Sequence, residues 1–220
     1  MRIKALLAIV VCLVSNLTLL AQEKKSEIYF GVAPTAYKGD LHESYQNWSM
    51  VFFAGLKFNR NHKLNGNFTL SIGSVSGQNP NYSFDDGSLP SPAPNHFFTS
   101  KVVGLNYELH YNFIHKEKIK VFVSQGVGVL RFNPKDEFDE PLIDQLSTRS
   151  TNETYGNISM MLPTQLGVLY TLPNDYSIGL QVGFQNTTSD YLDNISNWGL
   201  KKGSDNIFTY RFEIHIPLAI

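Results

Sequence analysis

The sequence predicts an all-β fold, an eight-stranded antiparallel up-and-down transmembrane β-barrel, and three observations lead there. Apolar and small polar residues alternate with period two along most of the chain. The residues between the apolar ones are mostly Gly, Ser, Asn, Thr and Gln, and charged residues make up only 17% of the 220 positions. The connections between the alternating stretches are short and long in turn. Successive side chains of a strand point to opposite faces, so each stretch has one apolar and one compact polar face. A soluble sheet covers its outer face with charge; a polar face without it fits the inside of a barrel whose outside meets lipid.

Residues 1–21 read as a secretory signal peptide. Arg2 and Lys4 supply the positive start, 5–20 the apolar run, broken by Ser15, Asn16 and Thr18, and Ala21 the small residue at the cleavage point. The run is short and polar-interrupted for a membrane anchor. Residues 22–220 then form the barrel domain. The sole cysteine, Cys12, lies inside the signal and follows Val11 rather than the small residue of a lipoprotein signal. The mature chain therefore has no disulfide and no cysteine metal site. Cleavage removes two of the 18 basic residues and leaves 16 against 19 acidic ones, a net charge of −3. Nothing in that balance suggests nucleic acid.

The first strand is expected over 27–37 and the second over 48–59, with Trp48, Met50, Phe52, Ala54, Leu56 and Phe58 on one face. A tight polar turn leads to the third, 64–74, where Leu64, Phe68, Leu70 and Ile72 alternate with Asn65, Asn67, Thr69 and Ser71. The fourth, 101–113, sets Val103, Leu105, Tyr107, Leu109 and Tyr111 against Gly104, Asn106, Glu108, His110 and Asn112. After another tight turn comes the fifth, 119–132. The sixth (157–172) and seventh (176–187) flank the turn Pro173-Asn174-Asp175, and the eighth is 206–218. Strands of about ten alternating residues match the tilted span of a bilayer.

The remaining connections, 38–47, 77–96, 133–156 and 188–205, are long and turn-rich. Outer-membrane barrels have short turns on the periplasmic side and long loops outside. Aromatics near the strand ends (Trp48, Phe58, Phe97, Phe113, Tyr170, Tyr176, Phe184, Phe208) suit the headgroup level. An open edge in hydrocarbon would leave backbone groups unpaired, so the eighth strand must pair with the first. Pro34 and Pro163 each remove a ladder donor, and bulges or rim positions are expected there.

The inward positions include Lys57, Glu108, His110, Lys120, Arg211, Glu213 and His215. Eight strands enclose just enough space for side chains to fill. These charges are read as a paired polar network, with a proton or ion path through His110 and His215 as the sharper alternative. The six histidines show no helical metal-ligand spacing, and the acidic loop clusters, Asp85–Asp86 and Asp136 to Glu140, read as solvated loops rather than calcium sites. No nucleophile elbow or phosphate loop is present. No catalytic residue, cofactor or metal is assigned.

Three segments resemble a family of small Bacteroidota outer-membrane barrels that includes PorG, a component of the type IX secretion machinery. They are Tyr37-Lys38-Gly39-Asp40-Leu41, Gly126 through Phe132 with Asn133-Pro134-Lys135, and Ser189-Asp190-Tyr191-Leu192-Asp193-Asn194-Ile195-Ser196. Their order and separation also match; Asn194 stands where the family commonly has an acidic residue. The resemblance places all three where strands leave the membrane on the long-loop side. There Asp40, Lys135, Asp190 and Asp193 are expected to form a hydrogen-bonded rim. It also implies a periplasmic lipoprotein, or another secretion-machinery protein, as partner beside the outer-membrane lipids. The expected function is thus a non-enzymatic anchor or assembly component. The rival readings are a small channel or solute-binding barrel, a lipid-modifying enzyme, and a soluble ligand-binding barrel.

Overall fold

The computed structural model describes residues 26–41, 44–58, 60, 62–81, 95–198 and 203–218. The signal peptide with Cys12, the Asp85–Asp86 pair and Pro90, Pro92 and Pro94 lie outside the described residues. Eight strands follow in order: β1 (Glu27–Lys38), β2 (Gln46–Phe58), β3 (Leu64–Gln78), β4 (Phe97–His115), β5 (Ile119–Lys135), β6 (Ile158–Thr171), β7 (Ser177–Thr187) and β8 (Asn206–Pro217). Each pairs antiparallel with the next, and β8 closes on β1 with Ile28 opposite Ile216 and Lys38 opposite Asn206. Closure gives every described strand a partner on both sides, as a wall in hydrocarbon requires.

The membrane assignment turns on which face is apolar. Ile72 is 60% exposed and Phe212 50%, whereas Asn67 is 1% and Glu213 2% exposed. The greasy stripes therefore point outward and the polar ones are enclosed, the reverse of a soluble barrel. Aromatics ring both ends of this belt. Tyr45, Trp48, Phe184, Phe208 and Tyr210 cluster on the outer wall toward the long loops. Phe58, Phe113, Tyr170 and Tyr176 lie toward the short turns.

Three features differ from expectation. First, β3, β4 and β5 run well past the bilayer-length stretches. Gln78 still pairs with Phe97, and Thr99 with Lys135. There the residues no longer alternate apolar with polar, so pairing continues where periodicity is silent. Second, Pro34 stays in register opposite Met50, and the irregularity falls after it, between Thr35 and Tyr37. Third, Pro163 sits in mid-strand opposite Gln185 with no register shift. The ladder to β5 skips Leu162 and Pro163, and Gln125 Nε2 donates to the Pro163 carbonyl at 3.0 Å. The missing N–H costs rungs but needs no extra residue. The other bulge lies in β4, between Asn112 and Ile114, and turns both Phe113 and Ile114 to the outside.

Candidate functional site

The barrel interior has two levels. The lower one, toward the short turns, is ionic. Glu108 accepts from Arg211 Nη1 at 3.0 Å, Asn106 Nδ2 at 2.5 Å and Ser124 Oγ at 3.2 Å. Glu213 accepts from Gln181 Nε2 and lies 2.7 Å from His215 Nε2. The other nitrogen of that ring, Nδ1, is 3.1 Å from Glu27 Oε2. An imidazole serving a carboxylate on each side can donate to both only as an imidazolium. Glu27 Oε1 meets Arg60 Nε at 3.1 Å, and Arg60 reaches Asp175 on the β6–β7 turn. A chain of charge thus runs from mid-barrel to the periplasmic rim.

All seven inward residues named from the alternation lie within this buried level. Among the described residues Lys57 has no hydrogen-bond acceptor; its Nζ stands 5.2 Å from the Phe122 ring centre. His110 stacks on the same ring at 4.3 Å and approaches Glu108 at 3.7 Å. Lys120 Nζ donates to the Arg60 carbonyl at 2.8 Å. Two further members were not picked out from the sequence. Glu27 opens β1 with inward parity and was legible in principle. Arg60 sits in a turn, where alternation says nothing.

The upper level is apolar. Ala33, Val51, Phe53, Val75, Val102, Leu130 and Met161 fill it from the wall. Leu41, Leu142, Leu192 and Ile195 descend on it from the loops, each at most 1% exposed. The long loops therefore plug the extracellular mouth. Between the levels remains a cavity of about 40 Å³ lined by Phe53, Asn106 and Arg211 among others.

Asp193 organises the plug. Its Oδ2 accepts from Tyr37 Oη at 2.5 Å and from the Leu41 amide at 3.1 Å, and its Oδ1 from the Ile195 amide at 2.9 Å. Tyr37 Oη also reaches Asp205 Oδ1 at 3.0 Å, and Asp205 Oδ2 accepts from the Leu192 amide. Asn95 Nδ2 donates to the Asp193 carbonyl, and Asn194 bridges Thr148 and Tyr155. Burial pushes the Asp193 carboxyl up to about 6, and the Asp190 charge adds to it. Burial lifts Asp205 well above the usual carboxylate range, helped by Asp193 beside it.

The rim residues named from the family motifs divide in two. Gly39, Asp40, Leu41, Asp190, Tyr191 and Asp193 belong to the plug. Tyr191 stacks on Tyr155 at 4.4 Å and donates to Glu153; Asp190 accepts from Ser196. Gly39 is needed there, because a Cβ would fall 1.9 Å from Tyr37 Oη and 2.0 Å from Asp205 Oδ1. Asn133, Pro134 and Lys135 instead extend β5 along β4. Lys135 does not join the expected rim network: odd positions of β5 face outward, and its Nζ pairs with Asp139 at 2.7 Å. Asp205 was missed, since no motif marks it and its partner lies 168 positions away. The acidic cluster of the β5–β6 loop is held by its own chain: Asp136 accepts from the Phe138 and Glu140 amides and from Gln145.

At the opposite rim, the short turns surround an open pocket of about 480 Å³. Arg60, Lys116, Lys118 and Lys120 line it against Glu117 and Asp175, so it is basic on balance.

No family model and no curated protein matches the chain. Solved structures do. Ail, the attachment invasion locus protein of Yersinia pestis, solved with the heparin analogue sucrose octasulfate, aligns at 11% identity and TM-score 0.51, over 90% of this chain and 100% of its own. Neisserial surface protein A aligns at 12% identity and TM-score 0.51, over 87% and 96%. The likeness is one of fold. With the apolar outer belt, it defines the class: this chain is an eight-stranded outer-membrane β-barrel protein.

Proposed function

We propose that this barrel is a non-enzymatic outer-membrane anchor or assembly component that works through its rims. Its partner is a periplasmic lipoprotein or another secretion-machinery protein; the narrower reading, from the three family motifs, is type IX secretion. The observation that carries the proposal is the filled interior. A channel or solute-binding barrel needs a continuous or ligand-sized cavity, and the enclosed space between the ionic level and the plug holds only a few waters. Among the described residues the short-turn pocket stays open to a macromolecule, and its basic lining suits an acidic segment of a periplasmic protein.

The test is a pull-down of the tagged barrel from outer membrane dissolved in mild detergent. Recovery of secretion-ring lipoproteins, lost in Lys116→Glu/Lys118→Glu, supports the assembly role. A barrel recovered alone overturns it. Clear single-channel conductance of the purified protein would favour the channel reading instead.

A further inference from the structure

The outer wall carries a charge pattern that neither the packed interior nor the plug explains. Along the described strands no acidic side chain points outward: Glu27, Glu108 and Glu213 all face in. The outward charges are cationic and stand at the long-loop ends of their strands. Three gather on one hairpin: Lys101 on β4, Arg131 and Lys135 on β5. Lys101 is opposite Asn133 and Val103 opposite Arg131, so Lys101 and Arg131 are diagonal neighbours on one face, ~7–8 Å apart at Cα. Below and beside them lie the exposed apolar side chains of Val103, Val129, Ile158 and Met160.

Counter-charge for these cations is sparse among the described residues. Neither Lys101 nor Arg131 forms a salt bridge there, and Asp139, whose charge Lys101 also feels, is held by Lys135 at 2.7 Å. Two exposed like charges at diagonal positions repel each other. On a membrane-facing wall they also face hydrocarbon on one side, and long basic side chains there extend toward the headgroups. A phosphate removes both costs. Arg offers it a planar fork and Lys a compact point charge.

We propose that Lys101 and Arg131, with Lys135 above them, bind the phosphate of one outer-leaflet lipid whose acyl chains lie along Val103, Val129, Ile158 and Met160. The site is independent of any periplasmic partner. Phosphate and grease are recognised together, so the ligand is a phosphorylated lipid rather than a free anion.

Native mass spectrometry of the full barrel released from detergent micelles tests this, with bis-phosphorylated lipid A, dephosphorylated lipid A and inorganic phosphate as probes. The wild-type protein is expected to retain one phosphorylated lipid A and neither of the other probes. Lys101→Gln/Arg131→Gln should weaken that retention by at least about tenfold. Lys116→Gln/Lys118→Gln on the opposite rim should leave it unchanged. Heat-modifiable migration on a gel verifies that each variant is folded. Equal retention by the Lys101/Arg131 variant, equal retention of dephosphorylated lipid, binding of inorganic phosphate alone, or the same loss in the opposite-rim variant would each overturn the proposal.

Discussion

Tyr37 and Asp193 lie 156 positions apart in the chain, yet the phenol donates to the carboxylate at 2.5 Å inside the extracellular mouth. This contact ties the end of β1 to the loop before β8, and the Leu41 amide doubles it from the same segment. Tyr37→Phe keeps the ring and its edge contact with Phe98 but removes the one side-chain donor that Asp193 and Asp205 share. A buried acceptor left unsatisfied costs about 1–3 kcal/mol. That cost should fall on the plug and not on the barrel. Hydrogen exchange at Leu41, Leu192 and Ile195 should speed up, while heat-modifiable gel migration stays as in the unaltered protein. Exchange unchanged at these amides would refute the role given to the contact.

The same pair predicts how the plug responds to pH. Burial raises Asp193 to about 6 and Asp205 well above the ordinary range. Each carboxyl therefore holds its proton more tightly in the closed plug than in an opened one. The stabilisation is complete below about pH 4, the free carboxylate value, and is lost as pH rises through about 6 for Asp193 and higher for Asp205. Tyr37, Tyr155, Asp190 and Asp205 are titratable groups that face Asp193. Proteolysis of the loops, corrected for the protease's own pH profile, should accelerate between about pH 5 and pH 8. Asp205→Asn removes one raised carboxyl and should flatten the response. A susceptibility independent of pH would count against it.

Much of this was legible in the sequence, and the boundary is physical. Strand parity follows from local alternation, so the outward Phe68, Leu70 and Phe212 and the inward Asn67, Glu108 and Glu213 could be assigned one strand at a time. Strand length was visible only where lipid imposes alternation; beyond it, Ser76 to Gln78 and Phe97 to Ser100 pair without a periodic signal. The apolar upper interior was not anticipated. Phe98, Val102 and Leu130 face inward with nothing in their own strands to say that Leu41, Leu192 and Ile195 would cover them. The family motifs mark Gly39 and Asp193, but Asp205, their partner, depends on a loop folding back. Position along the chain puts Lys135 with them, whereas its parity on β5 sends it to the other side of the wall.

Gly39 offers a steric test of the plug. Gly39→Ala would put a methyl group 1.9 Å from Tyr37 Oη and 2.0 Å from Asp205 Oδ1, so either the phenol or the loop must move. Gly156→Ala meets nothing within 4 Å and serves as the control. The first substitution should loosen the extracellular loops to about the extent of Tyr37→Phe, and the two together should be less than additive because they break one contact. Loop proteolysis at fixed pH measures it. Full additivity would mean that Gly39 matters for another reason.

The lower interior tests how a buried ionic level holds a barrel. Glu108 takes Arg211, Asn106 and Ser124 on its two oxygens, and Arg211 lies 4.6 Å over the Phe53 ring. Glu108→Gln leaves Arg211 without its hydrogen-bonded counter-charge in a buried site; Glu213 remains only as a more distant charge. Breaking one member of a buried pair costs about 3–5 kcal/mol, whereas replacing both partners by neutral groups of similar size can be nearly neutral. Arg211→Met alone should therefore also destabilise, by stranding Glu108 beside His110. The double variant Glu108→Gln/Arg211→Met should recover most of either loss. Urea unfolding in detergent micelles, followed by the fluorescence of Trp48 on the outer wall and Trp198 against the plug, gives the three values. If the double variant is as unstable as the sum of the singles, the two residues act on the barrel separately and the ionic level is not one coupled unit.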